Sequence, residues 1–169
     1  MSHEAWKRAR RALFAIGISA AAGAMTPPMS AFAFEEASAS AVNVDKDGLA
    51  IRGYDPVAYF TLGKPTPGDA QFTSAFEGAT YRFSTAANRD AFAKEPAKYA
   101  PAFGGFCALG TSLEKKFDGD PNLWKIVDGK LYLNVAAAAV TKWTQDIPGN
   151  ISKANGNWSK IKAKAPKEL

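Results

Sequence analysis

Cys107 is the side chain in this sequence best suited to soft-metal or nucleophilic chemistry. It follows Gly104-Gly105-Phe106, and paired glycines let backbone approach a ligand or another strand closely. A lone thiol can bind Cu(I) when a second sulfur donor arrives from a partner, can pair with a partner's cysteine, or can sit as a small buried hydrophobe. The last is how free cysteine most often behaves. It is the only cysteine, so no disulfide closes within one chain. Met1, Met25 and Met29 are the only methionines. Beyond them one chain supplies one sulfur, and a tight copper site calls for a homodimer, a partner protein or an exogenous ligand. Tyr54, Tyr59, Tyr81 and Tyr132 could line a pocket or offer phenolates to ferric iron or haem. Tyrosines so spaced on short strands more often pack their rings into a core and keep the hydroxyl at its edge. Asp55, preceding Pro56, either fixes a turn through its carboxylate or stands at a site mouth. Asn88 and Arg89 could hydrogen-bond a small anion, against a solvated helix face as the default. Lys115-Lys116 and Asp118-Gly119-Asp120 read as loop charges.

The one histidine, His3, lies in a segment that reads as a leader. Lys7, Arg8, Arg10 and Arg11 form a basic start, Leu13 to Ala24 is an apolar run short of the ~20 residues a bilayer requires, and Ala31-Phe32-Ala33 is a small-x-small cleavage site. Residues 1–33 therefore read as a secretory signal peptide, with Ala37-Ser38-Ala39 as a second acceptable site. Arg10-Arg11-Ala12-Leu13-Phe14 fits the twin-arginine export route, and the expected location is the periplasm. The remainder has no imidazole. That excludes histidine bases, Ser-His-Asp triads and histidine ligands within one chain, leaves Cys107 without an activating base, and argues against an enzyme. Four of the 21 Lys/Arg and one of the 16 Asp/Glu fall in the leader, so residues 34–169 carry a net charge of only +2. No field strong enough to hold nucleic acid remains, and no membrane span is expected after the leader.

The elements that must position these side chains are read from periodicity. Residues 34–48 form a flexible lead-in. Asn43-x-Asp45-x-Asp47-Gly48 imitates the start of a calcium loop, but Tyr54 occupies the place of the bidentate glutamate, so a turn before a short strand, Leu49 to Arg52, is expected. Pro56 keeps Tyr54 to Phe60 out of a central strand and makes it a turn or a single helical turn. Gln71 to Phe76 and Thr80 to Phe83 form a hairpin around Glu77-Gly78. A helix runs on to Lys94, capped by Ser84 or Thr85 and ended by Pro96. Leu123 to Val127 and Lys130 to Asn134 form a second hairpin around Asp128-Gly129. Ala136 to Gln145 and Ile151 to Lys162 are helical, separated by Pro148-Gly149. No internal repeat is evident. The reading is α+β: one domain over residues 49–160 with two hairpins, short helices and C-terminal helices, ending in a basic tail at 161–169.

Four pieces of this sequence, in this order and spacing, resemble the YHS-domain family in its exported, stand-alone form: Gly53-Tyr54-Asp55-Pro56-Val57-Ala58-Tyr59-Phe60, Tyr81-Arg82-Phe83-Ser84 through Phe92, Pro96-Ala97-Lys98-Tyr99, and Gly104-Gly105-Phe106-Cys107. The resemblance implies a small scaffold that binds or delivers metal, copper first, through cysteines. Here those positions carry Ala58, Ser84 and Asn88 instead. The expected function is an exported, non-catalytic binding module for a metal ion or small ligand, with Cys107 as the candidate metal ligand and Gly104, Gly105, Tyr54, Asp55, Tyr59, Tyr81 and Asn88 around the ligand. The alternative is a metal-free structural or protein-interaction module built on the same scaffold.

Overall fold

In the computed structural model, which describes residues 35–169, the chain is built from two hairpins, each leading into a helix. The signal-peptide and twin-arginine readings fall on residues outside the described ones. Among the described residues no helix is long and apolar enough to cross a membrane.

A short helix, α1 (Ala58–Thr61), precedes the first hairpin, β1 (Asp69–Phe76) and β2 (Ala79–Phe83), and α2 (Ala86–Lys94) and α3 (Pro96–Tyr99) come after it. Then come α4 (Ala108–Ser112), the second hairpin β3 (Asp120–Val127) and β4 (Lys130–Asn134), and helices α5 (Ala137–Gln145) and α6 (Ile147–Ile161). Both hairpins are antiparallel two-stranded sheets, so the α+β expectation holds. Each turns through two residues of positive φ, Glu77 (+50°) with Gly78 (+78°) and Asp128 (+49°) with Gly129 (+72°), the twist a two-residue hairpin requires.

The two halves repeat each other at an offset of 51 residues. Strand, turn, strand and helix have the same lengths in both, running Asp69–Phe76, Ala79–Phe83, Ala86–Lys94 and then Asp120–Val127, Lys130–Asn134, Ala137–Gln145. A bulge interrupts both first strands, after Asp69 and after Asp120, and the two aspartates accept from Gln71 N and Asn122 N at 2.8 Å in each case. Residues before the helices match, Thr85 at φ −144°, ψ 157° and Ala136 at −155°, 159°. Residues after them match as well, Glu95 at −137°, 59° and Asp146 at −150°, 75°. Tyr81 lies tilted against Phe92 at 4.8 Å between ring centroids, and Tyr132 against Trp143 at 5.5 Å. The expectation of no internal repeat is therefore corrected.

The repeat extends upstream at an offset of 52. Ile51-Arg52-Gly53 and Phe103-Gly104-Gly105 both take three successive left-handed conformations, with φ of +51°, +50° and +78° against +53°, +62° and +85°. The strand expected at Leu49 to Arg52 is replaced by this turn, with single bridges at Ala50 to Val44 and Leu49 to Thr80. Because the strained non-glycine conformation recurs in both halves, it belongs to the scaffold rather than to one site.

Two cores result. One gathers Val57, Tyr59, Tyr81, Phe83 and Phe92 with Leu131 and Leu133, and the other gathers Phe103, Ala108, Tyr132, Trp143 and Ala154. The lead-in and the tail are packed, unlike the expectation. Val42 and Asn43 are buried, with Asn43 N donating to Gly104 O at 2.9 Å, and Ile161 and Ala165 are buried near the other end. The calcium-loop mimic is a turn in which Asp45 Oδ1 accepts from Asp47 N and Leu49 N. The break between the last two helices sits at Asp146, which caps α6 by accepting from Gly149 N, so Pro148 and Gly149 fall in the helix's first turn, where proline needs no donor.

Candidate functional site

Asp55 is the centre of the first half. It is completely buried, and its two oxygens accept five hydrogen bonds. Oδ1 takes Val57 N (2.9 Å) and Ala58 N (3.2 Å), which starts α1. Oδ2 takes Ser84 N (2.8 Å), Ser84 Oγ (2.7 Å) and Asn88 Nδ2 (2.7 Å). Ser84 directly follows β2 and Asn88 lies in the first turn of α2, whose cap Thr85 accepts from Asn88 N at 3.1 Å. Asp55, Ser84 and Asn88 are thus brought together with Ala58 at their side, and a carboxylate knits the start of α1 to the junction of β2 and α2. Arg89 turns away to pair with Asp90.

Cys107 occupies the counterpart place in the second half, 52 residues after Asp55. It too precedes a short helix, and its sulfur accepts from Gly110 N at 3.4 Å. On its other side the thiol lies 3.6 Å from Asn134 Oδ1. It is 1% exposed, and burial pushes the thiol pKa up, against the lowering effect of neighbouring backbone N–H groups. Burial thus disfavours the thiolate that nucleophilic attack would need. The native protein is expected to react with an aromatic disulfide reagent at least ~100-fold more slowly than the same chain in denaturant, a ratio read by stopped-flow absorbance. Equal rates in both would show that the thiol is open to solvent.

The remaining expected site residues have mainly packing roles. Tyr59 is buried, donates its hydroxyl to Pro121 O at 2.9 Å and meets Trp124 edge-on at 5.1 Å. Tyr81 is buried against Phe92, and desolvation raises the pKa of both phenols, so neither is a ready phenolate ligand. Tyr54 bridges Pro67 at the edge of the first core. Gly104 is bare because a Cβ there would stand 1.9 Å from Ala41 O. Gly105 O accepts from Asn43 Nδ2 at 3.3 Å. Both glycines serve the close approach of the lead-in.

Two features escaped the sequence reading. Lys116, read as a loop charge, is 2% exposed. Its ammonium donates to Ser40 O (2.8 Å), Lys162 O (3.0 Å) and Lys164 O (2.7 Å), and lies 4.5 Å from the Phe106 ring centroid. Asp118, also read as a loop charge, accepts from Arg52 and Asn43. The second feature is a cavity of about 510 Å3 at the seam of the two halves, walled by Phe76, Phe103, Tyr132 and Trp158, with Lys130 and Lys162 also lining it. Phe103 stands 5.9 Å from Tyr132 and 5.8 Å from Trp158 between ring centroids. Among the described residues, no group of three or more His, Cys, Asp or Glu side chains is arranged to hold a metal ion.

A family model described as YHS domain matches residues 57–103. The matched segment covers α1 to α3 and the approach to Gly104. The second, repeated half lies outside it. No curated protein and no solved structure matches the chain.

Proposed function

We propose that this protein is an exported, non-catalytic binding module in which a YHS domain and a second copy of the same supersecondary unit form a scaffold for a small ligand. YHS domains are associated with metal handling, copper in particular, so the first question is whether the residues present suit a soft metal. They do not. The positions at which metal-binding relatives carry cysteine hold Ala58, Ser84 and Asn88, and the last two donate into Asp55. Cu(I) needs several soft ligands in one shell, whereas this cluster offers hard oxygens already engaged. Cys107 brings one sulfur, held as a buried thiol. The observation that carries the proposal is the Asp55 network, which turns a ligand position into a structural one, and the seam cavity provides room for a ligand of ordinary metabolite size. The export reading rests on the leader-like residues 1–33.

Metal analysis of protein recovered from the periplasm, beside Cys107→Ala, tests the proposal. Neither sample is expected to hold stoichiometric copper or iron, before or after anaerobic loading with Cu(I). Metal near one per chain or one per dimer that disappears in Cys107→Ala would overturn the small-ligand reading in favour of a copper carrier. Recovery of the protein only in the cytoplasm would overturn export.

A further inference from the structure

We propose that the seam cavity binds an aromatic or otherwise planar organic anion, its ring system against the aromatic wall and its acidic group between Lys130 and Lys162. The proposal rests on the small-ligand reading above and adds the chemical class. Pockets form preferentially where two packed units meet, and this one is walled by both halves: Phe76, Ala97 and Ala100 come from the first half, and Phe103, Tyr132 and Trp158 from the second. Phe103 and Tyr132 are buried and fixed against their neighbours, while Trp158 is half-buried. Rigid rings of this kind present contact area at little conformational cost. Ala97 and Ala100 add two small side chains to the lining.

The charge argument is independent of the aromatic one. Lys130 and Lys162 are the cationic residues of the lining, and Glu77 is its one carboxylate, so the lining is net positive. Among the described residues neither lysine is ion-paired. Lys130 Nζ is oriented by one hydrogen bond, to Ala97 O at 2.8 Å, which leaves two of its three N–H donors for a ligand. Lys162 is anchored at its backbone, where its carbonyl accepts from Lys116, and its exposed side chain reaches the lining from α6's C-terminal end. One oriented cation, Lys130, and the exposed ammonium of Lys162 beside an apolar aromatic wall favour a ligand with one acidic group on a flat apolar body.

A matched pair of fluorescent probes separates the two parts of the claim. 8-Anilinonaphthalene-1-sulfonate carries the anion, and N-phenyl-1-naphthylamine is the same ring system without it. Binding is read by probe emission and by quenching of tryptophan fluorescence, on protein whose circular dichroism and unfolding midpoint match wild type. The sulfonate is expected to bind the wild-type chain about tenfold or more tighter than the neutral probe, to lose about that factor in Lys130→Gln/Lys162→Gln, and to be excluded by Ala97→Trp or Ala100→Phe, either of which fills the opening. Equal binding of both probes, indifferent to the lysine changes yet blocked by the filling variants, would overturn the anionic class and leave a neutral-ligand cavity. Failure of both probes to bind, or binding that survives both filling variants, would overturn the cavity as a ligand site and with it the small-ligand reading.

Discussion

Replacing Lys116 by methionine is expected to destabilise the folded chain by about 3 kcal/mol and to loosen both ends of the described structure together. Methionine keeps most of the apolar stem and fills the same space against Phe106 and Trp158, so little of the loss comes from packing. What disappears is a tripod of donors. Ser40, Lys162 and Lys164 each lose the one side-chain donor that their carbonyl faces, and each of these partly buried acceptors left without a donor costs about 1 kcal/mol or more, offset in part because the desolvation of the ammonium is no longer suffered. Arginine is a poor rescue, since a planar fork does not fit three carbonyls converging on one point. The sign of the pH dependence comes from burial, which lowers the lysine pKa from 10.5 to about 8. Below about pH 8 folded and unfolded chains both carry the ammonium, and the penalty for burying it is fully present. Between about 8 and 10.5 the unfolded chain holds a proton that the folded chain has released, so the contribution of Lys116 to stability rises with pH. Urea unfolding across that window should therefore show wild type gaining on Lys116→Met as pH increases. Limited proteolysis at neutral pH should cut the variant first near Ser40 and beyond Lys162. An unchanged midpoint and unchanged cleavage pattern would show that the three carbonyls are served by water instead.

The reason Lys116 looked like a loop charge is that nothing local marks it. Its three acceptors lie 76, 46 and 48 residues away and are backbone carbonyls, which carry no sequence signature. The hairpins were legible for the opposite reason. Glu77-Gly78 and Asp128-Gly129 lie between alternating strands, and the turn chemistry is contained in four adjacent residues. Asp55 is an intermediate case. The Asp-Pro step announced a turn, and two of its five hydrogen bonds are that turn. The other three come from Ser84 and Asn88, 29 and 33 residues on, and only the folded chain assembles them. The internal repeat was hidden because identical residues are sparse: besides Ala86-Ala87 with Ala137-Ala138 at the helix starts, the pairs Gly68 with Gly119, Asp69 with Asp120, Gly78 with Gly129 and Tyr81 with Tyr132 recur at 51 residues while most other positions differ. Each of these pairs does one backbone or core job, and a search for spacing rather than identity would have found them. At Gly68 a Cβ would stand 2.6 Å from the backbone of Arg82, and at Gly119 a Cβ would stand 2.9 Å from Cβ of Leu133, so both copies need glycine where the first strand begins.

Asp55→Asn is expected to cost about 3 kcal/mol, though it changes one atom and almost no volume. An asparagine can keep Oδ1 as acceptor for Val57 N and Ala58 N. The NH2 that replaces Oδ2 then faces Ser84 N, Ser84 Oγ and Asn88 Nδ2, all of which donate in the wild-type arrangement. Ser84 Oγ can turn to accept and the Asn88 amide can flip, but Ser84 N has no such freedom and stays opposed to another donor. Hydrogen bonds to a charged acceptor are also worth about 1.5–3 kcal/mol each, more than those to a neutral amide, so even the bonds that survive weaken. Asn88→Ala removes one donor and leaves the carboxylate four others, for an expected loss of about 1–2 kcal/mol. The same ranking distinguishes a structural hub from a ligand-binding carboxylate. Groups held ready for a ligand are costly in its absence, so neutralising them commonly leaves the free protein as stable as before or more so. If Asp55→Asn unfolds at the wild-type urea concentration, Asp55 is a ligand group and the metal reading of this end of the scaffold regains its footing. A large loss shared unequally among Asp55→Asn, Ser84→Ala and Asn88→Ala, and non-additive when they are combined, identifies one buried structural network.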